Sequence, residues 1–424
     1  MFLQYVDTAM VGRLGETATA SVSITMTVSW LINSVNSAAG IAVLALISRA
    51  VGSKDRERVG IIAKQALFLA VASGCVTGSI SLLLSPWIPV WMGAERAIQK
   101  EASRYFFIVC LPMVFRTMNT VLGAAIRATK DTRTPMLINM AANGVNVLLN
   151  GLFIYTMGLG VAGAAIASAV SYTVSGTLML CAYRKNSCLH WNWHEFAVDL
   201  PVLWECKRIG LPVLGTSVAS CLGYVVFASL VSDMGTTVFA AHSIAVTAET
   251  CFYIPGYGLR TATSAIVGTD LGEGDFVRLE KTALLSVTVT VGFMCLSGIF
   301  LYHVSNPLMR VFTSSAHVAG LGARMLRLVA FSEPFFGLMV VLEGIYYGLG
   351  RTRYSFVVET GSMWGIRILF TWLCVRRWQM ELYAVWWCMI ADNVCKAVLL
   401  ALPAVRRKWR ERMFSVPQKA EAGM

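Results

Sequence analysis

Twelve stretches of the chain are apolar enough to enter or cross a lipid bilayer. They are 1–12 (short), 20–47, 62–92, 104–126, 135–156, 161–183, 209–232, 238–267, 282–302, 321–348, 354–375 and 380–404. Short polar links such as Arg13–Glu16, Gly52–Arg58 and Arg127–Arg133 separate them. A helix needs about 20 apolar residues to span the hydrocarbon. There the backbone finds no water to bond, so each span satisfies its own amides and carbonyls as a helix. Charged residues are only 14% of the chain, against about 25% in a soluble domain. Too few charges remain to dress a soluble surface. The sequence predicts an all-α polytopic membrane protein with twelve transmembrane helices.

The twelve runs form two sets of six. Val22–Asp55 reads VSITMTVSWLINSVNSAAGIAVLALISRAVGSKD, and His242–Asp275 reads HSIAVTAETCFYIPGYGLRTATSAIVGTDLGEGD, aligned without a gap. Ser23 meets Ser243, Thr27 meets Thr247, Ala45 meets Ala265, Gly52 meets Gly272 and Asp55 meets Asp275, a shift of 220 residues. The same shift puts Gly15 on Gly235 and Thr132–Arg133 on Thr352–Arg353. Six helices per copy is an even number, so both copies enter from the same side. Such parallel repeats make two pseudo-symmetric lobes about an axis along the membrane normal. The predicted division is an N-terminal lobe over 1–183, an inter-lobe linker over 184–207, a C-terminal lobe over 208–405 and a basic tail over 406–424. The copy of the first run begins near Ile209, so its own start falls before Met1. The first helix is therefore expected to be truncated at its N-terminus.

The net charge of +12 has a topological origin. One set of alternating loops carries Arg49, Lys54, Arg56, Arg58, Arg127, Lys130, Arg133, Arg184, Lys185, Lys207, Arg208, Arg278, Lys281, Arg351 and Arg353, and the tail adds Arg406, Arg407, Lys408, Arg410 and Arg412. Lys/Arg-rich loops stay cytoplasmic, which puts both termini inside a multi-pass cell membrane protein and removes the nucleic-acid reading. The eleven cysteines are scattered, with no C-x-x-C. No disulfide framework or metal centre is expected from them. His190 and His194, in the linker's HWNWH, read as an interfacial belt. Gly158–Gly163 matches G-x-G-x-x-G but joins two membrane helices and follows no strand, so it is no nucleotide site. The five histidines are dispersed, and the chain is not read as an enzyme.

Polar groups inside the spans are the functional candidates, since a charge at mid-bilayer costs about 2.5–3.5 kcal/mol. Asp7 lies in YVDTAMVGRLG. With the first helix extended to full length, Asp7 moves well inside the membrane. Asn139, Asn143, Asn146 and Asn150 are spaced 4, 3 and 4, on one face of the fifth helix. Four amides on one face exceed the needs of helix–helix bonding and fit a wet cavity wall. The second copy drops the last two: Asn146 and Asn150 correspond to Ile366 and Phe370. There Glu249 stands where the first copy has Ser29, ahead of an expected break at Pro255–Gly258. Glu359 and Arg367, two turns apart, could pair through a neighbour. Glu333, Asp392, Arg116 and Arg260 are further candidates for pairing.

The motifs VDTAMVGRLG, ALISRAVGSKD, AIRATKDTRTPM, NVLLNGLFI with GLGVAGAAIAS, and YIPGYGL with VGTDLGEGD together resemble the multidrug and toxic compound extrusion family. The resemblance implies cation-coupled efflux by two six-helix lobes, with H⁺ or Na⁺ entering as substrate leaves. It also implies a first-lobe cation site at Asp7, Asn146, Asn150 and Ser168. Some members carry Asp at the Asn150 position, so here Asp7 is the main charge and the place where Na⁺ could bind. Glu249 is the nearest equivalent of a second-lobe acid.

The expected function is secondary active multidrug or organic-cation efflux by antiport, without a bound cofactor, from a monomer in the lipid bilayer. Small amphipathic or cationic substrates would meet Met and aromatic side chains in the cleft. The alternative is a lipid-linked oligosaccharide or lipid flippase of the same fold superfamily.

Overall fold

The shift of 220 residues is built into the backbone. In the computed structural model, residues 10–12, 14–189, 197–313 and 315–405 are described. Among them φ is positive at Gly15 (115°) and Gly235 (105°), at Lys54 (57°) and Gly274 (73°), and at Lys130 (69°) and Gly350 (66°). Each pair is 220 residues apart. Asp55 accepts a hydrogen bond from the Arg58 amide at 2.9 Å, and Asp275 does the same for Arg278. These are helix N-caps, worth about 1 kcal/mol each. The turns that decide where helices start and stop are thus duplicated along with the apolar runs.

All regular structure among the described residues is helical. The first compact unit, residues 1–214, holds α1 (Glu16–Gly52), α2 (Arg56–Leu84), α3 (Arg96–Cys110), α4 (Met113–Ala128), α5 (Arg133–Asn150) and α6 (Gly160–Lys185). Then α7 (Leu200–Ser232) crosses the division into the second unit, residues 215–424. That unit continues with α8 (Thr236–Glu273), α9 (Phe276–Phe312), α10 (Ala316–Ala330), α11 (Glu333–Gly348), α12 (Thr352–Ser362) and α13 (Leu382–Val405). Packing repeats with the sequence: α1 lies on α2, α3 and α4 as α8 lies on α9, α10 and α11.

Several expected boundaries move. The run 104–126 is two helices, α3 and α4, bent by 49° at Leu111–Pro112. Its copy, α10 and α11, bends by 56° at Phe331–Ser332. Proline at 112 and 334 sets φ at a helix start and cannot donate within the preceding one. The eleventh run is α12, a π-helical stretch Met363–Ile368, one α-turn Leu369–Trp372 and a second π stretch Leu373–Arg377. The fifth ends the same way, in π-helical Gly151–Thr156. In contrast, α8 runs through the break expected at Pro255–Gly258. Packed neighbours tolerate a proline inside a membrane helix. The expected linker over 184–207 is partly helical, because α7 begins at Leu200. Among the described residues eight helices are long and apolar enough to cross a membrane, ten if each bent pair is one span; the first run and the basic tail lie mostly or wholly outside the described residues.

The surface confirms the solvent. Leu285, Val289, Leu296 and Phe300 recur along one side of α9 and are 50–67% exposed. In water such a stripe would be a liability; against acyl chains it is the expected exterior.

Small residues set the closest helix contacts. On α11, a Cβ at Gly344 would stand 2.6 Å from the Arg260 carbonyl oxygen, and one at Gly348 2.5 Å from that of Ser264. In the first unit the matching pair is Gly40 on α1 against Ala124 on α4, where a Cβ on Gly40 would meet Ala124 at an ordinary 3.5 Å. The same seam is kept, but the glycine has changed sides. Gly344→Ala is expected to cost about 1–3 kcal/mol by overpacking, read as a lower Tm of the purified protein, while Gly144→Ala, with open space around it, leaves Tm unchanged.

Candidate functional site

In the first unit the fifth-helix amides divide into two groups. Asn146 and Asn150 face α6 and are fully buried. The Asn150 side-chain amide donates to Asn146 Oδ1 at 3.0 Å, and the Asn146 amide donates to Ser168 Oγ on α6 at 3.3 Å. Spacing of one helical turn stacks the two amides, and the small residues of GLGVAGAAIAS let α6 come close: a Cβ at Gly163 would lie 2.9 Å from the Phe153 carbonyl. Buried amides are retained only when bonded, and this chain of three bonds itself. Asn139 does different work. Its amide donates to the Pro135 carbonyl at 2.7 Å and its oxygen accepts from Asn119 on α4 at 3.0 Å. That bond holds α5 to α4. Asn143 is half-buried and makes no side-chain hydrogen bond among the described residues.

Asp7 lies outside the described residues, as do His190 and His194. The segment that follows Asp7 does not. Met10 and Val11 pack in one apolar cluster with Ile154, Val161 and Ala164, and the Tyr155 hydroxyl donates to the Met10 carbonyl at 3.0 Å. The end of the first run is thus docked on the helix pair that carries Asn146, Asn150 and Ser168. Beside Ser168 is a cavity of about 30 Å³ lined also by Thr25, Ser29, Arg116 and Tyr172, room for one or two waters. Arg116 sits 5.0 Å over the Tyr172 ring, within cation–π range.

The second unit gathers its charges. Arg367 bonds Asp392 at 2.9 Å, and Lys396 bonds the same carboxylate at 2.8 Å. Ser362 donates to the other Asp392 oxygen at 2.6 Å. Arg260 bonds Glu343 at 2.8 Å, and its guanidinium lies 4.9 Å from the Tyr257 ring. Glu359 accepts from the Ser355 hydroxyl and lies in the electrostatic neighbourhood of Glu343 and Lys396. Glu359 and Arg367 do connect through neighbours, namely Lys396 and Asp392. Glu249 is buried and accepts from the Tyr253 hydroxyl. Tyr253 is fixed by stacking on Phe336 at 3.9 Å. Nearby Glu333 is fully buried, and neither of its carboxylate oxygens has a hydrogen-bond partner among the described residues.

The five acids Glu249, Glu333, Glu343, Glu359 and Asp392 thus face three bases, Arg260, Arg367 and Lys396. The two units place different chemistry in equivalent helices: a neutral amide–hydroxyl chain in the first and an acid-rich ionic network in the second. Glu343, Lys396, Asn119 and Tyr253 did not stand out in the sequence. Lys396 had a signal, its i,i+4 spacing from Asp392, and Glu343 had one too, as an acid inside an apolar run.

Among known proteins, the family profile described as MatE matches residues 1–152 and 212–373. A relative in Thermotoga maritima, "Probable multidrug resistance protein NorM", is 24% identical over 423 residues, covering 97% of this chain and 90% of its own. "Probable multidrug resistance protein YoeA" of Bacillus subtilis is 22% identical, with 90% and 85% covered. Among solved structures, a MOP superfamily transporter from Pyrococcus furiosus superposes with a TM-score of 0.90 at 21% identity, over 97% of this chain and 91% of that one. A Vibrio cholerae MATE transporter gives 0.88 at 19%, over 98% and 93%.

Removing one partner from the densest charge cluster leaves uncompensated buried charge, which costs about 3–5 kcal/mol. Asp392→Ala is expected to lower the Tm of the purified protein sharply. Adding Lys396→Met to it, which removes one of the two stranded cations, recovers part of the loss.

Proposed function

The chain belongs to the MatE family, and on that premise we propose that it exports bulky cationic or amphipathic compounds by antiport with H⁺ or Na⁺. It works as a transporter rather than an enzyme, alternating the access of its two six-helix lobes, with both termini in the cytoplasm. The coupling ion binds in the first lobe at Asp7, beside Asn146, Asn150 and Ser168. The observation that carries this reading is the buried Asn150–Asn146–Ser168 chain, held by the same helix pair on which the end of the first run is docked through Ile154, Val161 and Ala164. An acid on that run meets oxygens already held in place. Neutralising it with a cation lets the run repack, and the substrate cavity shrinks outward.

An ion moves such a machine only by binding one state better than the other. Going from 1:99 to 99:1 takes about 5.5 kcal/mol. The membrane potential supplies about 2.3 kcal/mol per charge per 100 mV, too little alone at ordinary potentials. The remainder has to come from differential contacts at the site. One further observation favours a second ion in the other lobe: five acids face three bases there. In this reading Glu249, beside the unpartnered Glu333, takes up and releases the second proton.

The test is transport in proteoliposomes, with a fluorescent organic cation and with pH and Na⁺ gradients imposed separately. Asp7→Asn is expected to abolish gradient-driven efflux while the protein still binds the dye. Glu249→Gln is expected to reduce efflux or change its stoichiometry without abolishing it. Unchanged efflux in Asp7→Asn would remove the first-lobe site from the mechanism.

A further inference from the structure

Two cysteines 14 residues apart meet where the second π-helical stretch packs beside α13. The Sγ atoms of Cys374 and Cys388 are 3.9 Å apart, and both residues are buried. That distance is far beyond the S–S bond of about 2.05 Å. It is van der Waals contact without a bond, close enough that one bridging atom bound to both sulfurs needs only a small inward shift of the two side chains. Both thiols also line an apolar groove of about 780 Å³, walled by Ile366, Phe370, Trp378 and Trp387. The groove's position in the fold is informative. Ile366, Phe370 and Cys388 lie 220 residues after Asn146, Asn150 and Ser168. At the spot where the first unit holds hard oxygen ligands, the second offers two soft sulfurs and aromatic walls.

We propose that Cys374 and Cys388 form a dithiol site for trivalent arylarsenicals, with the aryl group seated in the groove. The reaction is a condensation. The As–O double bond of an arylarsine oxide is lost, two As–S bonds form, and the oxygen leaves as water with both thiol protons. Arsenic stays trivalent, so no oxidant or reductant takes part. The aryl ring lies against Phe370, Trp378 and Trp387, which supply the stacking and edge contacts that aromatic pairs favour. Chelation joins the stretch Leu373–Arg377 to α13 through one atom. A single thiol cannot hold the reagent in this way, which separates this pair from the other nine cysteines, all with free thiols.

The experiment uses the full chain, reduced with a phosphine and desalted in detergent, then treated with phenylarsine oxide and washed with excess monothiol. Intact mass reports what remains. The wild type is expected to retain one phenylarsenic group, released by a dithiol, and so is a variant with the other nine cysteines replaced by alanine. Cys374→Ser and Cys388→Ser are expected to fall to background. No retained adduct in the wild type, or an adduct surviving in both single variants, overturns the assignment. The nine-alanine variant guards against a folding defect in the single ones, since it keeps the pair intact. Transport is not the readout, so this result stands or falls apart from the antiport reading.

Discussion

A peptide group in hydrocarbon has no solvent to bond, and that fact governs how this chain is built. It makes every span a helix and pushes irregular backbone to the ends of spans. Where the helix does loosen, in the π stretches Gly151–Thr156, Met363–Ile368 and Leu373–Arg377, the loosening lies at or near the buried polar or thiol groups of its unit. A π-turn rotates the side chains that follow it. The same constraint holds for side chains. Many of the buried polar groups that persist have a neighbour to bond; Asn36 and Glu333 are the clearest departures among the described residues.

The two units answer the problem of polarity in a membrane differently. The first, among the described residues, uses neutral groups in sequence on α5 and α6, amide to amide to hydroxyl. The second concentrates formal charges and offsets them pairwise, Arg367 and Lys396 against Asp392, Arg260 against Glu343. Equal helices in equal packing can therefore carry unequal chemistry, because backbone bonding is complete before any side chain is chosen.

Much of this was legible in the sequence. The spans, the duplication and the Asn146–Asn150 pairing follow from run length, a constant offset and one-turn spacing. The contact of those amides with Ser168 came from resemblance, since nothing in local spacing joins residues 22 apart. Other features depend on information that periodicity does not contain. Whether α8 bends at Pro255 is decided by its neighbours, not by the proline. The separate use of Asn139 depends on Asn119 lying across a helix seam. The cysteines read as small apolar residues because most of them lie in apolar runs. Only the approach of Leu373–Arg377 to α13 brings two of them together.

The migration of glycine across one seam has a consequence for how the copies could diverge. In the first unit the small partner is Gly40, where an added Cβ would only touch Ala124 and Thr120 at 3.5 Å. In the second unit the glycine stands at 344, tight against the Arg260 carbonyl, and the opposite position, 260, carries a full side chain. A long cation now stands there, reaching an acid one residue from the glycine that made room for it. With the small partner on the other helix, the same seam carries an ionic pair, Arg260 with Glu343 at 2.8 Å, where the first unit has only glycine against alanine.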